Sequence, residues 1–69
     1  MENSVYKIIE LVGFSEKSWE DAAKAAVSTA DKTLRDMRVA EVTQMDMRLE
    51  DNRIVGYRVK LKVSFKLEG

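Results

Sequence analysis

The side chains in this sequence that are best suited to chemistry are charged and lie in its C-terminal half. Carboxylates surround one short turn, and cations follow it at even spacing: Glu41, Asp46, Glu50 and Asp51, then Arg58, Lys60, Lys62 and Lys66. The chain has no Cys and no His, which excludes the usual Cys/His zinc sites and the standard nucleophile–base pairs. We therefore predict that the protein is not an enzyme, and that these charges either bind a ligand or solvate a surface.

Carboxylate oxygens are ligands of hard cations such as calcium and magnesium, and calcium takes about six to eight oxygens. One copy of the chain does not supply enough closely spaced carboxylates, and residues 49–54 lack the spacing of a calcium loop. In one interpretation, symmetric copies each contribute a ligand to a shared site, with Glu41 and Asp46 as the candidate metal ligands. In the other, these are ordinary surface or pairing charges.

The cations after the turn are here called the basic row: Arg58, Lys60, Lys62 and Lys66. Their even-numbered positions place them on one face of an extended strand. The row either faces a phosphate, a nucleotide tail or the interior of a shell, or it is a solvated face paired with Asp46 or Glu41. In symmetric copies the basic row would create a concentrated positive field, so a small anionic molecule is an expected ligand. Lys+Arg and Asp+Glu number 12 each, so the net charge is zero, which argues against a general nucleic-acid binder.

Residues 54–67, which carry the basic row, predict a long β-strand. Seven apolar residues alternate with the polar ones without a gap: Val55, Tyr57, Val59, Leu61, Val63, Phe65 and Leu67. Only a strand places every second residue on one face. At ~3.3 Å per residue this strand is roughly 45 Å long, whereas a compact chain of this size has a diameter of roughly 30 Å. A lone copy leaves part of the apolar face uncovered, so we predict an obligate oligomer.

Two elements precede the hairpin. Residues 5–12 predict a first strand that is apolar on both faces and is ended by Gly13. Ser18 and Asp21 form the S-x-x-D signature of a helix start. One apolar helical stripe then follows: Trp19, Ala22, Ala23, Ala26, Val27, Ala30, Leu34 and Met37. The position of Trp19 on this stripe favours packing in the core or between subunits over stacking against a planar ligand.

Residues 38–50 predict the second strand, whose poorer alternation suggests a β-bulge near residues 41–44. A three-residue loop at 51–53, with Asn52 at positive φ, then joins the second and third strands. In that register Met47 faces Tyr57, and Asp46 faces Arg58 as an opposite-charge pair.

The order of elements is therefore β-α-β-β, an α+β fold in which a three-stranded antiparallel sheet wraps on one helix. We predict a single domain over residues 1–69. The sequence has no secretory signal and no apolar run long enough to cross a membrane. We therefore expect a soluble, cytoplasmic protein without membrane or nucleic-acid partners.

Several segments together resemble a known family. They are VYKIIELVGFSEKSWEDAA, RVAEV and YRVKLKVSFKLE, and they cover nearly the whole chain. The chain resembles the dodecins, small β-α-β-β proteins that assemble as hollow homo-dodecamers. This resemblance implies a non-enzymatic binding or storage protein whose ligands lie where subunits meet.

Many dodecins bind flavins, so the resemblance implies FMN, riboflavin or FAD as candidate ligands. Val39, Gln44 and Arg58 match positions of the family's flavin pocket. Flavin-binding dodecins have a stacking Trp where this chain has Val39, and a Gln where it has Arg58. Aromatic stacking contributes about 0.5–1.5 kcal/mol beyond burial of area, which Val cannot supply, and Arg has no acceptor atom.

The segments that contain these replacements, RVAEV and YRVKL, resemble a subgroup of dodecins that lacks the Trp. One branch of that subgroup is associated with calcium. Two hypotheses follow. In the first, the shell holds flavin or a similar small anionic ligand at subunit interfaces. In the second, the shell is free of flavin and either binds calcium or magnesium or serves only structurally. If the pairing of the hairpin keeps one parity, Val39 and Arg58 lie on opposite faces, and a pocket containing both needs two chains or a bulge.

Overall fold

The computed structural model describes residues 3–68 of the chain. Strand β1 spans Val5–Ser15, helix α1 spans Trp19–Ala30, and strands β2 and β3 span Met37–Glu50 and Arg53–Glu68. The three strands form one antiparallel sheet in the order β1-β3-β2, with the C-terminal strand in the centre. The predicted α+β class and β-α-β-β order are confirmed. Of the domain predicted over 1–69, Met1, Glu2 and Gly69 lie outside the described residues.

Helix α1 begins where the sequence predicts and ends earlier. The Ser18 hydroxyl accepts a hydrogen bond of 3.0 Å from the backbone N–H of Asp21, which caps the helix. The predicted continuation of the helix to Met37 is wrong, because α1 ends at Ala30. A tight turn follows, and Asp36 adopts a φ of 61°, a left-handed conformation that redirects the chain into β2. No helix in residues 3–68 has the length and apolar character needed to cross a membrane.

Strand β1 continues through Gly13 to Ser15, so the predicted end of the strand at Gly13 is wrong. Gly13 lies directly opposite Val59 and beneath the helix. A Cβ atom at Gly13 would lie 2.0 Å from the carbonyl oxygen of Ala22. Glycine therefore permits a close approach of helix and sheet here, and does not break the strand.

The turn between β2 and β3 contains two residues, Asp51 and Asn52, whose φ angles are 51° and 63°. Such a pair of left-handed residues suits a tight hairpin. The positive φ predicted for Asn52 is confirmed, whereas the predicted three-residue loop is wrong, because Arg53 already pairs with Glu50.

A bulge next to the turn nevertheless restores the predicted register. Leu49 pairs with Ile54 and Arg48 pairs with Gly56, which leaves Val55 as an extra residue in β3. Beyond this bulge, Met47 pairs with Tyr57 and Asp46 pairs with Arg58, as predicted.

A second bulge lies in β2, within the predicted range of 41–44. Gln44 pairs with Lys60 and Val42 pairs with Leu61, so Thr43 is the extra residue. Its hydroxyl donates a 3.1 Å hydrogen bond to the Lys60 carbonyl oxygen. The bulge reverses the orientation of the preceding residues, so that Val42 shares a face with buried Leu61 while Val39 lies on the opposite face.

The core between helix and sheet is small. Its buried apolar side chains in the described chain are Ala22, Ala26, Ala30, Val59, Leu61 and Val63. The helix lies mainly over β1 and β3 and barely reaches β2. Many large apolar side chains remain exposed: Val5, Tyr6, Ile8, Val12, Phe14, Val39, Val42, Met45, Met47, Leu49, Ile54 and Leu67. The described chain measures 55 × 21 × 14 Å, so its sheet extends well beyond its own core.

Candidate functional site

The face of the sheet that points away from α1, here called the outer face, gathers residues from all three strands. It is identified by the register, since Val59, Leu61 and Val63 point toward the helix and their neighbours point away. The outer face contains Tyr6, Ile8, Glu10, Val12 and Phe14 of β1, Arg58, Lys60, Lys62, Ser64 and Lys66 of β3, and Val39, Glu41, Gln44 and Asp46 of β2.

The three predicted pocket residues, Val39, Gln44 and Arg58, share this outer face. Opposite faces for Val39 and Arg58 are expected only if the pairing keeps one parity. The bulge at Thr43 reverses that parity, so the two residues lie on the same face. Val39 pairs with Ser64, six residues along β3 from Arg58, a separation of roughly 20 Å at ~3.3 Å per residue. One chain therefore places Gln44 close to Arg58 but does not bring Val39 to them.

Arg58 and Asp46 form a two-pronged ion pair on the outer face. Arg58 Nε donates to Asp46 Oδ1 at 2.8 Å, and Arg58 Nη2 donates to Oδ2 at 2.9 Å. These hydrogen bonds from Arg58 hold the pKa of the Asp46 carboxyl below its usual range, and they raise the pKa of Arg58. The predicted Asp46–Arg58 pair is thus present.

On the opposite side of the sheet, Trp19 fixes the start of the helix to the same part of β2. Its indole N–H donates a 3.0 Å hydrogen bond to the Asp46 carbonyl oxygen. Its ring meets Tyr57 edge-on, with ring centroids 5.0 Å apart. Trp19 is therefore a packing residue in the protomer, as its position on the apolar stripe favours.

The candidate metal ligands Glu41 and Asp46 do not form a cation site within one protomer. Glu41 lies opposite Lys62, and both oxygens of Asp46 accept hydrogen bonds from Arg58. Residues 3–68 contain no group of three or more Asp, Glu, His or Cys side chains arranged to hold a metal ion. A cation site with these ligands requires carboxylates from more than one copy.

Two of the cavities beside the sheet involve the candidate site or the uncovered part of β2. A small one of about 70 Å³ opens on the outer face and is lined by Val12, Gln44, Asp46, Arg58 and Lys60. A larger apolar groove of about 410 Å³ lies where α1 leaves β2 uncovered, and is lined by Ala23, Lys24, Val27, Ser28, Ala40, Val42 and Leu61. The sequence did not indicate Val12 as a site residue, because its place beside Lys60 depends on the pairing of β1 with β3.

The family model for dodecin matches residues 5–68 of the chain. The chain belongs to the dodecin family. Among curated dodecins it is 47% identical over 64 residues to the calcium dodecin of Mycobacterium tuberculosis, covering 93% of this chain and 90% of that protein. It is 42% identical over 64 residues to the dodecin of Thermus thermophilus, covering 93% of each chain.

Solved dodecin structures share the fold over almost the full length. The dodecin of Streptomyces coelicolor is 38% identical, with a TM-score of 0.91 over 100% of this chain and 99% of its own. A crystal structure of the M. tuberculosis calcium dodecin, described as having a novel calcium-binding site, is 46% identical, with a TM-score of 0.83 over 94% of this chain and 93% of its own. These comparisons confirm the predicted resemblance to dodecins. A calcium dodecin is among the similar proteins.

Proposed function

We propose that the chain is a non-enzymatic subunit of a homo-oligomeric dodecin shell, with twelve copies in the family's pattern. Each subunit holds a small anionic ligand on the outer face of its sheet. Self-association is supported by the uncovered apolar surface. Each Å² of such surface removed from water contributes about 25 cal/mol. A described chain 55 Å long with six buried apolar side chains leaves much of this surface available.

The proposed shell does not take up flavin by the family's aromatic stacking. The observation that carries this proposal is the state of the outer face: Val39 is 60% exposed and offers no ring, while Arg58 is already paired with Asp46 through two hydrogen bonds. A flavin ring is neutral, so it offers no charge to compete with the Asp46 carboxylate for the guanidinium group.

A titration of riboflavin followed by its fluorescence tests this. We expect no quenching by the wild-type protein at micromolar concentration, and a gain of quenching in Val39→Trp. The matched control is Val42→Trp, which places the same ring on the same strand but on the helix-facing side. Quenching by the wild type at micromolar concentration would refute the flavin-free proposal. An indifferent Val39→Trp variant would show that Val39 does not lie in the ligand site.

Calcium is a second candidate ligand, and one specific observation favours it. The 47% identical relative is named a calcium dodecin, and in this chain the two residues that would hold a flavin are replaced. We propose that Glu41 and Asp46 of neighbouring copies would supply the carboxylate oxygens.

Thermal unfolding with and without calcium tests this candidate. An ion that binds only the folded protein stabilises it by about 2.7 kcal/mol at a concentration 100 times its Kd. We expect calcium to raise Tm more than magnesium does, and Glu41→Gln to remove that rise. Equal shifts for the two ions, or an undiminished calcium shift in Glu41→Gln, would refute the candidate.

A further inference from the structure

We propose that Lys60, with Gln44 and Arg58, forms a binding site for a small oxyanion, such as a phosphate or carboxylate group, on the outer face. This deepens the proposed function, because it rests on that face being the one that holds ligands and names the chemical group held there. The site lies within one protomer, so its residues do not depend on how copies assemble.

The residues directly opposite Lys60 carry no charge. Val12 of β1 and Gln44 of β2 lie directly opposite Lys60 on its two sides, and both are neutral. Lys62, the next cation of the basic row, lies instead between Glu10 and Glu41. Both lysines are exposed on β3, but only Lys60 has no carboxylate directly across the sheet from it.

Arg58 adds further donors beside Lys60. A guanidinium group has five N–H donors, and the Asp46 carboxylate accepts from two of them. Because Asp46 is neutralised by Arg58, it repels an anion at Lys60 less than a free carboxylate would. None of the ion pairs within residues 3–68 involves Lys60, so its ammonium group is available to a ligand.

The size of the cavity sets the size of the ligand. The cavity lined by Val12, Gln44, Asp46, Arg58 and Lys60 has a volume of about 70 Å³. One water molecule needs roughly 10–15 Å³ on this measure, so the cavity accommodates an oxyanion head group but not a tricyclic ring. The Val12 side chain forms an apolar wall, and the Gln44 amide supplies a neutral donor opposite Lys60.

Isothermal titration with inorganic phosphate at fixed ionic strength tests the site on the assembled wild-type protein. We expect saturable binding, at least tenfold weaker in Lys60→Gln and changed less than twofold in the matched control Lys62→Gln. Asp46→Asn removes a negative charge and one of the two acceptors of Arg58, so it should bind phosphate several-fold more tightly. Parallel titrations with acetate and glycerol 3-phosphate identify whether a carboxylate, free phosphate or a phosphate ester is preferred.

Three results would overturn the proposal. They are the absence of saturable binding of all three anions to the wild type, equal weakening in Lys60→Gln and Lys62→Gln, and weaker phosphate binding in Asp46→Asn. Sedimentation and thermal unfolding of each variant confirm that it is folded and assembled. If no anion binds while the wild-type shell stays assembled and leaves riboflavin fluorescence unquenched, the oxyanion site is refuted and the flavin-free shell stands.

Discussion

Substitution of Gly13 by Ala should separate the helix from the sheet. The added Cβ would lie 2.0 Å from the Ala22 carbonyl oxygen and 3.1 Å from the Ala26 Cβ. Ordinary contacts begin at 3.4 Å, so the shortfall against the Ala22 oxygen is 3.4 − 2.0, or about 1.4 Å. The position of a Cβ is fixed by its own backbone and the Ala22 oxygen is a backbone atom, so rotation of a side chain cannot relieve the contact. The helix must instead move away from buried Leu61.

We expect Gly13→Ala to destabilise the protein by about 3 kcal/mol, at the upper end of the usual cost of overpacking. For a domain of this size that loss lowers Tm by roughly 12–24 °C. Gly56→Ala is the matched control. Its new Cβ would lie 2.2 Å from the tip of the Phe14 ring, but that ring is a half-exposed side chain that can rotate.

Differential scanning calorimetry at one subunit concentration measures both variants, because assembly makes Tm depend on concentration. We expect Gly56→Ala to lose less than half as much stability as Gly13→Ala. A Gly13→Ala protein with wild-type Tm would refute the close approach of helix and sheet at Gly13. Equal losses in the two variants would refute the distinction between backbone and side-chain obstruction.

Three further outcomes are expected. Leu61→Ala should cost about 2–5 kcal/mol in denaturant unfolding, because it empties a fully buried position, and a loss below 1 kcal/mol would contradict that burial. Ser18→Ala should cost about 1 kcal/mol by removing the bond to the Asp21 amide, whereas Ser18→Asp should retain most of the stability. The Asp46 carboxyl should titrate below the ordinary value of 3.8 in an NMR pH series, and Arg58→Gln should return it toward that value. Because the pKa is lowered on folding, the stabilisation by this pair is complete above the unfolded pKa and is lost as pH falls through the folded one.

The sequence predicts the fold because its strongest periodic pattern also specifies the centre of the sheet. The unbroken alternation around Leu61 identifies β3, and its charged partners set the register of the hairpin, since Asp46 faces Arg58 as predicted. The predicted ends of β1 and α1 are wrong because they depend on tertiary packing, which the local sequence pattern does not show. A glycine at position 13 is typical of the end of a strand, yet Gly13 lies inside β1. Its role is to allow the close approach of Ala22 in the helix. Met37 continues the helical spacing by chance, while the chain has already turned into β2.

The sequence identified most residues of the candidate site, but not which face of the sheet each one occupies or which residues lie beside it. A bulge near residues 41–44 was indicated by the pattern, yet only its position at Thr43 decides which face Val39 occupies. The placement of neutral Val12 opposite Lys60 depends on the pairing of β1 with β3, which joins residues about 50 positions apart and leaves no local signal in a sequence.

The assembly of the chain is tested most directly by sedimentation velocity over a dilution series, with circular dichroism at each concentration. A homo-oligomer of constant size, many times the mass of one chain, is expected down to the lowest concentration at which it stays folded. Dissociation, where it occurs, should coincide with loss of the circular dichroism signal, because a single chain buries too little apolar surface to remain folded. A folded, single-chain species that persists on dilution would contradict the shell and the cation site placed between its copies.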